Sequence, residues 1–333
     1  MSDLAFVAAG LVLLIVGGEM LVRGAVAVAE RAGMSPLLIG LTLVGFGTSM
    51  PELVTSVEAA LIGSPGIAVG NVVGSNIANI LLIVGIAALV SPITVASRAL
   101  ERDGAVVLAV AVVFTVIGLL LPLDRLVGAC LIAFLIAYLW FAWWQESADG
   151  KLGHTAAYEK AKAYDELHAG PIAHQGEARG WAERLGAVLP LLLALAGLAI
   201  VVGGGKLLVD GAVGMARTYG IAEAVIGLTI VAVGTSLPEL VTSLIAAVRK
   251  HSDVALGNVM GSNIYNVLGI AGTTGVISPT AIPEQIVRYD NFVMLAASVG
   301  LLVFAQSGRR ITRLEGALLL AAYVAYIVSL LPR

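Results

Sequence analysis

The ten residues 47–56, GTSMPELVTS, recur at 234–243 as GTSLPELVTS. Downstream, GNVVGSNIAN at 70–79 recurs at 257–266 as GNVMGSNIYN. Both pairs are offset by 187 residues, and from 39 to 56 fourteen of eighteen positions match their counterparts at 226–243 without a gap. Chance does not produce such agreement, so the chain is an internal duplication. The identities fall on polar residues, glycines and prolines rather than on the Leu, Val and Ile between them. That distribution points to a task shared by the two copies, not to shared filler.

The surroundings of the repeats are apolar. Of 333 residues, 59% are hydrophobic and 12% charged, and the mean hydropathy is +0.98. Soluble domains carry about 25% charged residues, so a water-soluble globule is excluded. With 19 Lys+Arg against 22 Asp+Glu there is no basic excess for phosphate contacts, and nucleic acid is not an expected partner. The one cysteine, Cys130, has no partner for an internal disulfide. A bilayer core needs roughly 20 apolar residues per helix, and such runs occur near 4–22, 36–60, 66–90, 104–121 and 125–144. Five more lie near 186–209, 221–247, 254–277, 290–306 and 312–331. The expected fold is an all-α polytopic membrane protein of ten transmembrane helices.

Five spans per half is an odd number, so the second half must enter the membrane in the opposite sense. The division is a first repeat over 1–144, a hydrophilic loop over 145–185 and an inverted second repeat over 186–333. Placing the N-terminus outside puts 14 of the 19 Lys+Arg on the cytoplasmic side together with the loop, the arrangement that short-loop charge favours. An inner (cell) membrane location follows. Inverted repeats are typical of secondary transporters, with the binding site near the midplane where the halves meet.

Glu52 and Glu239 fall in the middle of apolar spans, where a carboxylate costs on the order of 3 kcal/mol and is functional by default. Pro51 and Pro238 precede them and are expected to free the carbonyls at Gly47 and Gly234. Thr48, Ser49, Thr235 and Ser236 add hydroxyls, and Ser75, Asn79, Ser262 and Asn266 add oxygens from the neighbouring spans. An all-oxygen set suits a hard cation such as calcium, and the absence of Cys and His from the motifs disfavours zinc or copper. Asn76 and Asn263 are expected to cap or bridge helices, and Glu58 to be interfacial.

At these two motif pairs the chain resembles the sodium/calcium exchanger family of the cation/calcium exchanger superfamily, whose α-repeats look like the GTSxPE and GNVxGSN segments here. The resemblance implies exchange of Na+ for Ca2+ by alternating access, with no enzymatic activity and no cofactor beyond the transported ions. It implies backbone ligands at Gly45 and Ala232, and side-chain ligands at Thr48, Ser49, Glu52, Ser75, Asn79, Thr235, Ser236, Glu239, Ser262 and Asn266. It also implies a sliding gate made of the first span of each half, carrying Gly17-Gly18 and Gly203-Gly204-Gly205, in a transport unit that is a monomer. Potassium-dependent relatives have aspartate where this chain has Asn266, which argues against K+ co-transport. Two glutamates balance one Ca2+, and exchange for a larger number of Na+ would be electrogenic. The alternatives are an H+-coupled or K+-dependent antiporter and, further off, a cation channel.

The loop holds His154, His168 and His174. Residues 156–167 are expected to form a short amphipathic helix on the cytoplasmic surface, within what reads as a solvated tether between the halves.

Overall fold

The structure, a computed structural model, describes residues 2–95, 98–148, 154–167 and 181–331. The first half contains α1 (Asp3–Arg31), the bent pair α2 (Leu37–Gly47) and α3 (Met50–Leu61), α4 (Pro65–Val90), α5 (Arg98–Leu120) and α6 (Arg125–Ala148). The loop contributes α7 (Ala156–Leu167). The second half contains α8 (Trp181–Tyr219), the bent pair α9 (Glu223–Thr235) and α10 (Leu237–Val248), and α11 (252–277). It ends with α12 (Ile286–Gln306) and α13 (Arg313–Leu330).

Among the described residues, seven helices are long and apolar enough to cross a membrane, and the two bent pairs raise the number to nine. The tenth span is α11, the repeat partner of α4. Its polar residues Asn258, Asn263 and Asn266 dilute its hydropathy, yet it lies in the centre of the molecule, where residues 254–272 are all buried. The fold is two inverted five-helix repeats.

Short contacts between loops mark the two faces. On the face that also carries α7, β1 (Ile93–Thr94) pairs antiparallel with β2 (Arg310–Ile311). On the opposite face, Leu123 bridges Thr280 and Ser278 Oγ donates to the Ala60 carbonyl at 3.1 Å. These pairings join loops that an alternating ten-span path brings to the same side.

Peripheral helices present apolar side chains outward, as lipid requires. In α6, Leu131, Leu135, Tyr138 and Ala142 face the core, while Phe134, Ile136 and Trp140 are exposed. Trp143 and Trp144 continue the exposed face toward the loop end of that helix, where indole rings suit the membrane–water boundary.

The first helices of the two halves, α1 and α8, run side by side over most of their length. Glycines set this closeness at seven-residue spacing: Gly10, Gly17 and Gly24 on α1, and their repeat partners Gly197, Gly204 and Gly211 on α8. A Cβ on Gly17 would lie 2.8 Å from the Val201 backbone nitrogen, and one on Gly204 would lie 2.9 Å from that of Leu14. Small residues let backbones approach and supply the dispersion contacts that drive helix association in lipid.

Candidate ion-binding site

Each repeat breaks its second span at the first motif. α2 and α3 meet at 46°, and α9 and α10 at 49°. The break leaves Ser49 and Ser236 at the N-caps of α3 and α10, and Glu52 and Glu239 in their first turns, where the helix dipole favours a negative charge. The prolines occupy the first turn as well, where a missing N–H costs nothing. The bend therefore lies just before Pro51 and Pro238, and the prolines start the second half-helix rather than interrupt a continuous one. Wider π-turns at 40–44 and 227–231 precede both breaks, and others begin at Asn79 and Tyr265. Such irregular backbone persists at membrane depth only where it is buried in protein or lines a cavity.

The broken spans are held by a pair of asparagines that the sequence reading passed over. Asn71 Nδ2 donates to the Glu52 carbonyl at 3.1 Å and to Ser56 Oγ at 3.0 Å. Its repeat partner Asn258 donates to the Glu239 carbonyl at 3.2 Å and to Ser243 Oγ at 2.9 Å. Asn71 also accepts from Thr235 Oγ1 at 3.0 Å, which ties the first half to the second. The available signal was their identity across the 187-residue offset; their amides were not separated from the motif's small residues.

Glu52 and Glu239 are buried. Ser236 Oγ donates to Glu52 Oε1 at 3.2 Å, so the cap of one half reaches the carboxylate of the other. Glu52 Oε2, Glu239 Oε2, Ser49 Oγ and both polar atoms of the Asn266 amide are buried without a hydrogen-bond partner. A protein does not ordinarily leave such groups unpaired, because each costs about 1–3 kcal/mol; a bound cation would satisfy the oxygens. Ser75 Oγ donates to the Ala232 carbonyl at 3.4 Å, and Thr48 Oγ1 to the Gly45 carbonyl at 3.3 Å. Among the described residues no cluster of three His, Cys, Asp or Glu is present; only two carboxylates converge.

Of the asparagines expected to cap or bridge helices, Asn76 donates back within its own helix to the Val72 carbonyl at 2.7 Å, and only Asn263 links two elements. Asn263 is a bridge, accepting from Asn79 Nδ2 at 3.0 Å and donating to the Asn76 carbonyl at 3.4 Å. Asn79 is therefore engaged through its nitrogen, while its Oδ1 is left without a partner. Glu58 is half-buried near the end of α3.

The two halves differ at one of the positions expected to supply a backbone oxygen, Gly45 and its repeat partner Ala232. A Cβ on Gly45 would fall 2.5 Å from Tyr265 Oη, and that hydroxyl donates to the Leu41 carbonyl. In the other half the equivalents are Ala232 and Ala78. Gly45 is thus required by a tyrosine 220 residues away in sequence.

The loop departs from expectation. α7 forms at the anticipated residues, but it is not a surface helix in a solvated tether. Ala156, Ala157, Lys160 and Ala163 are completely buried. Lys160 Nζ donates to Ser262 Oγ at 2.6 Å and pairs with Glu239 Oε1 at 3.3 Å. Alanines at 156, 157, 161 and 163 give the helix a shallow face that fits between larger helices, a pattern that composition alone reads as solvated. The N-terminus of α7 is held by carboxylates: Glu146 accepts from the Thr155 N–H at 2.6 Å, and Asp103 from that of Ala156. Burial pushes the Glu159 carboxyl above the usual carboxylate range, with Asp253 and Glu146 adding to the rise and Lys162 and His154 opposing it. Beside the site lies a cavity of about 310 Å3 whose walls include Thr48, Glu239, Lys160 and Tyr164. His168 and His174 lie outside the described residues.

Comparisons with known proteins agree with this architecture. The chain is 38% identical to the sodium/calcium exchanger MaX1 of Methanosarcina acetivorans, over 96% of each chain. It is 34% identical to the inner membrane protein YrbG of Escherichia coli, over 98% of this chain and 96% of that protein. A solved structure of the sodium-calcium exchanger NCX_Mj superposes with a TM-score of 0.61 at 32% identity, covering 99% of both chains. Residues 2–144 and 189–331 match the profile of the family described as "Sodium/calcium exchanger protein", one stretch in each half; the chain belongs to that family.

Proposed function

We propose that this chain is a secondary antiporter exchanging Na+ for Ca2+ by alternating access, electrogenic and independent of K+. The observation that carries the reading is the pair of buried carboxylates, Glu52 and Glu239, each in the first turn of a broken half-helix and each with an oxygen lacking a partner. The residues 1–144 and 186–333 act as the two halves of the transport unit, and ions bind where they meet. Ca2+ takes oxygens from both glutamates, with the Gly45 and Ala232 carbonyls, Thr48, Ser49, Thr235 and Ser236 close by. Ser75, Asn79, Ser262 and Asn266 complete the set for Na+ and Ca2+. With amides rather than a carboxylate at 79 and 266, the site has no third negative charge to balance an added K+.

Placement follows the charge asymmetry of the loops: an inner-membrane protein with its N-terminus outside and residues 145–185 in the cytoplasm. The test is calcium uptake into proteoliposomes loaded with Na+ and diluted into sodium-free, potassium-free buffer. Uptake that collapses when the Na+ gradient is dissipated supports the exchange. Uptake that appears only with K+ or a proton gradient would replace it by one of the other couplings.

A further inference from the structure

Inverted repeats allow the two gates of one molecule to be compared residue by residue. On the face away from the loop, α4 packs directly on α9. A Cβ on Gly66 would lie 2.7 Å from the Ala224 nitrogen, and one on Gly74 would lie 2.6 Å from the Leu228 carbonyl oxygen. Backbone meets backbone, and this gate is shut. The repeat partners of α4 and α9 are α11 and α2. By symmetry, Gly257 and Gly261 of α11 would lie against the neighbourhood of Gly40 on α2.

They do not. A Cβ on Gly261 would instead meet the Ala156 carbonyl and Lys160 Cβ, both at 3.1 Å, and one on Gly257 would strike the Glu159 side chain. On the other side, a Cβ on Gly40 would lie 3.0 Å from Ala161 Cβ. α7 thus stands between the two helices whose counterparts touch in the shut gate. From that position it delivers the Lys160 ammonium to Glu239 and Ser262.

We propose that α7 is a tethered plug: Lys160 occupies the place of the transported cation at Glu239 and Ser262, and the helix body wedges the loop-side gate apart. The proposal rests on the exchanger reading above. Two independent obstacles follow from the one helix. A divalent cation entering at Glu239 would meet an ammonium already bound to that carboxylate, and the two positive charges exclude each other. The gate cannot close while α7 separates α11 from α2, so the molecule cannot alternate. Both obstacles are lifted when α7 withdraws. It is held by contacts that can be exchanged for water: backbone N–H groups on Glu146 and Asp103, and Tyr164 Oη on Glu19 at 3.3 Å. The alanine face makes a shallow seat rather than a deep interlock. The plug makes the loop a brake on transport, and whatever binds the withdrawn helix releases it.

A bound competitor lowers apparent affinity by the fraction of molecules left competent. The experiment compares sodium-driven calcium uptake by reconstituted full-length wild type and Lys160→Met, which keeps the length of the side chain and removes the charge. The expected result is a fall of about tenfold in the calcium concentration for half-maximal uptake, or a comparable gain in rate below saturation. A second arm places Gly40→Cys and Ala161→Cys together in a Cys130→Ser background. Oxidation should stop uptake by fixing α7 in the gate, and reduction should restore it. Wild type and Lys160→Met with the same calcium dependence would overturn the plug and leave the exchanger reading standing. So would uptake that continues with the disulfide formed, or loss of uptake in folded Lys160→Met while wild type is active. No uptake by either wild type or Lys160→Met would overturn the exchanger reading, and the plug with it.

Discussion

Glu52 and Glu239 occupy equivalent places, yet their surroundings differ: Ser236 donates to the first, and Lys160 pairs with the second. Both carboxylates are buried and are proposed to serve one site. Glu52→Gln and Glu239→Gln are each expected to abolish sodium-driven calcium uptake while the protein still reconstitutes; normal flux in both would remove the central site. Asn71 and Asn258 are expected to act on stability instead. Asn258→Ala removes two buried hydrogen bonds at the break and Asn71→Ala three, at a cost of about 1–3 kcal/mol for each buried polar group left unpaired. Lower thermal stability in detergent, together with slower uptake, checks it. Asn266→Asp replaces an amide that has no partner with a carboxylate. It should alter the cation preference, and an unchanged ion profile would argue against a ligand there.

Among the elements, the same turn closes α3 and α10 with different residues. Gly63 takes φ +75° after α3, and Lys250 takes φ 63° after α10. Left-handed backbone costs a non-glycine residue about 1–2 kcal/mol, against a smaller entropic penalty for glycine in the unfolded chain. Lys250→Gly is therefore expected to stabilise the protein by about 0.5–1 kcal/mol, read as a higher melting temperature with uptake unchanged. The half-helix breaks were legible from GTSxPE because serine, proline and glutamate are the residues that start a helix. The exact place of the bend was not, because proline serves equally at a kink and in a first turn. The bounds of α7 were readable from its alanines and charges. Its burial was not, since a helix rich in Ala, Lys and Glu reads the same on a surface as in a wedge.

Across the whole molecule, two carboxylates must balance first one ion species and then the other. One Ca2+ exchanged for more than two Na+ moves net charge, so an interior-positive potential is expected to speed calcium uptake into sodium-loaded vesicles. Uptake indifferent to potential would indicate an electroneutral exchange.

The amino-acid sequence by itself determined the membrane environment, the ten spans, the inverted duplication and the oxygen-bearing motifs proposed to bind the ions. Each of these is a local property of the chain: a run of apolar residues, a helix-breaking motif, a repeat at fixed offset. Only the tertiary structure decided that α4 packs directly on α9 while α7 separates α11 from α2, that Tyr265 demands glycine at 45, and that a loop lysine lies on Glu239. Two halves built on the same repeated motifs can pack in two opposite ways. The choice between those packings depends on contacts among residues far apart in the chain, which no local pattern records.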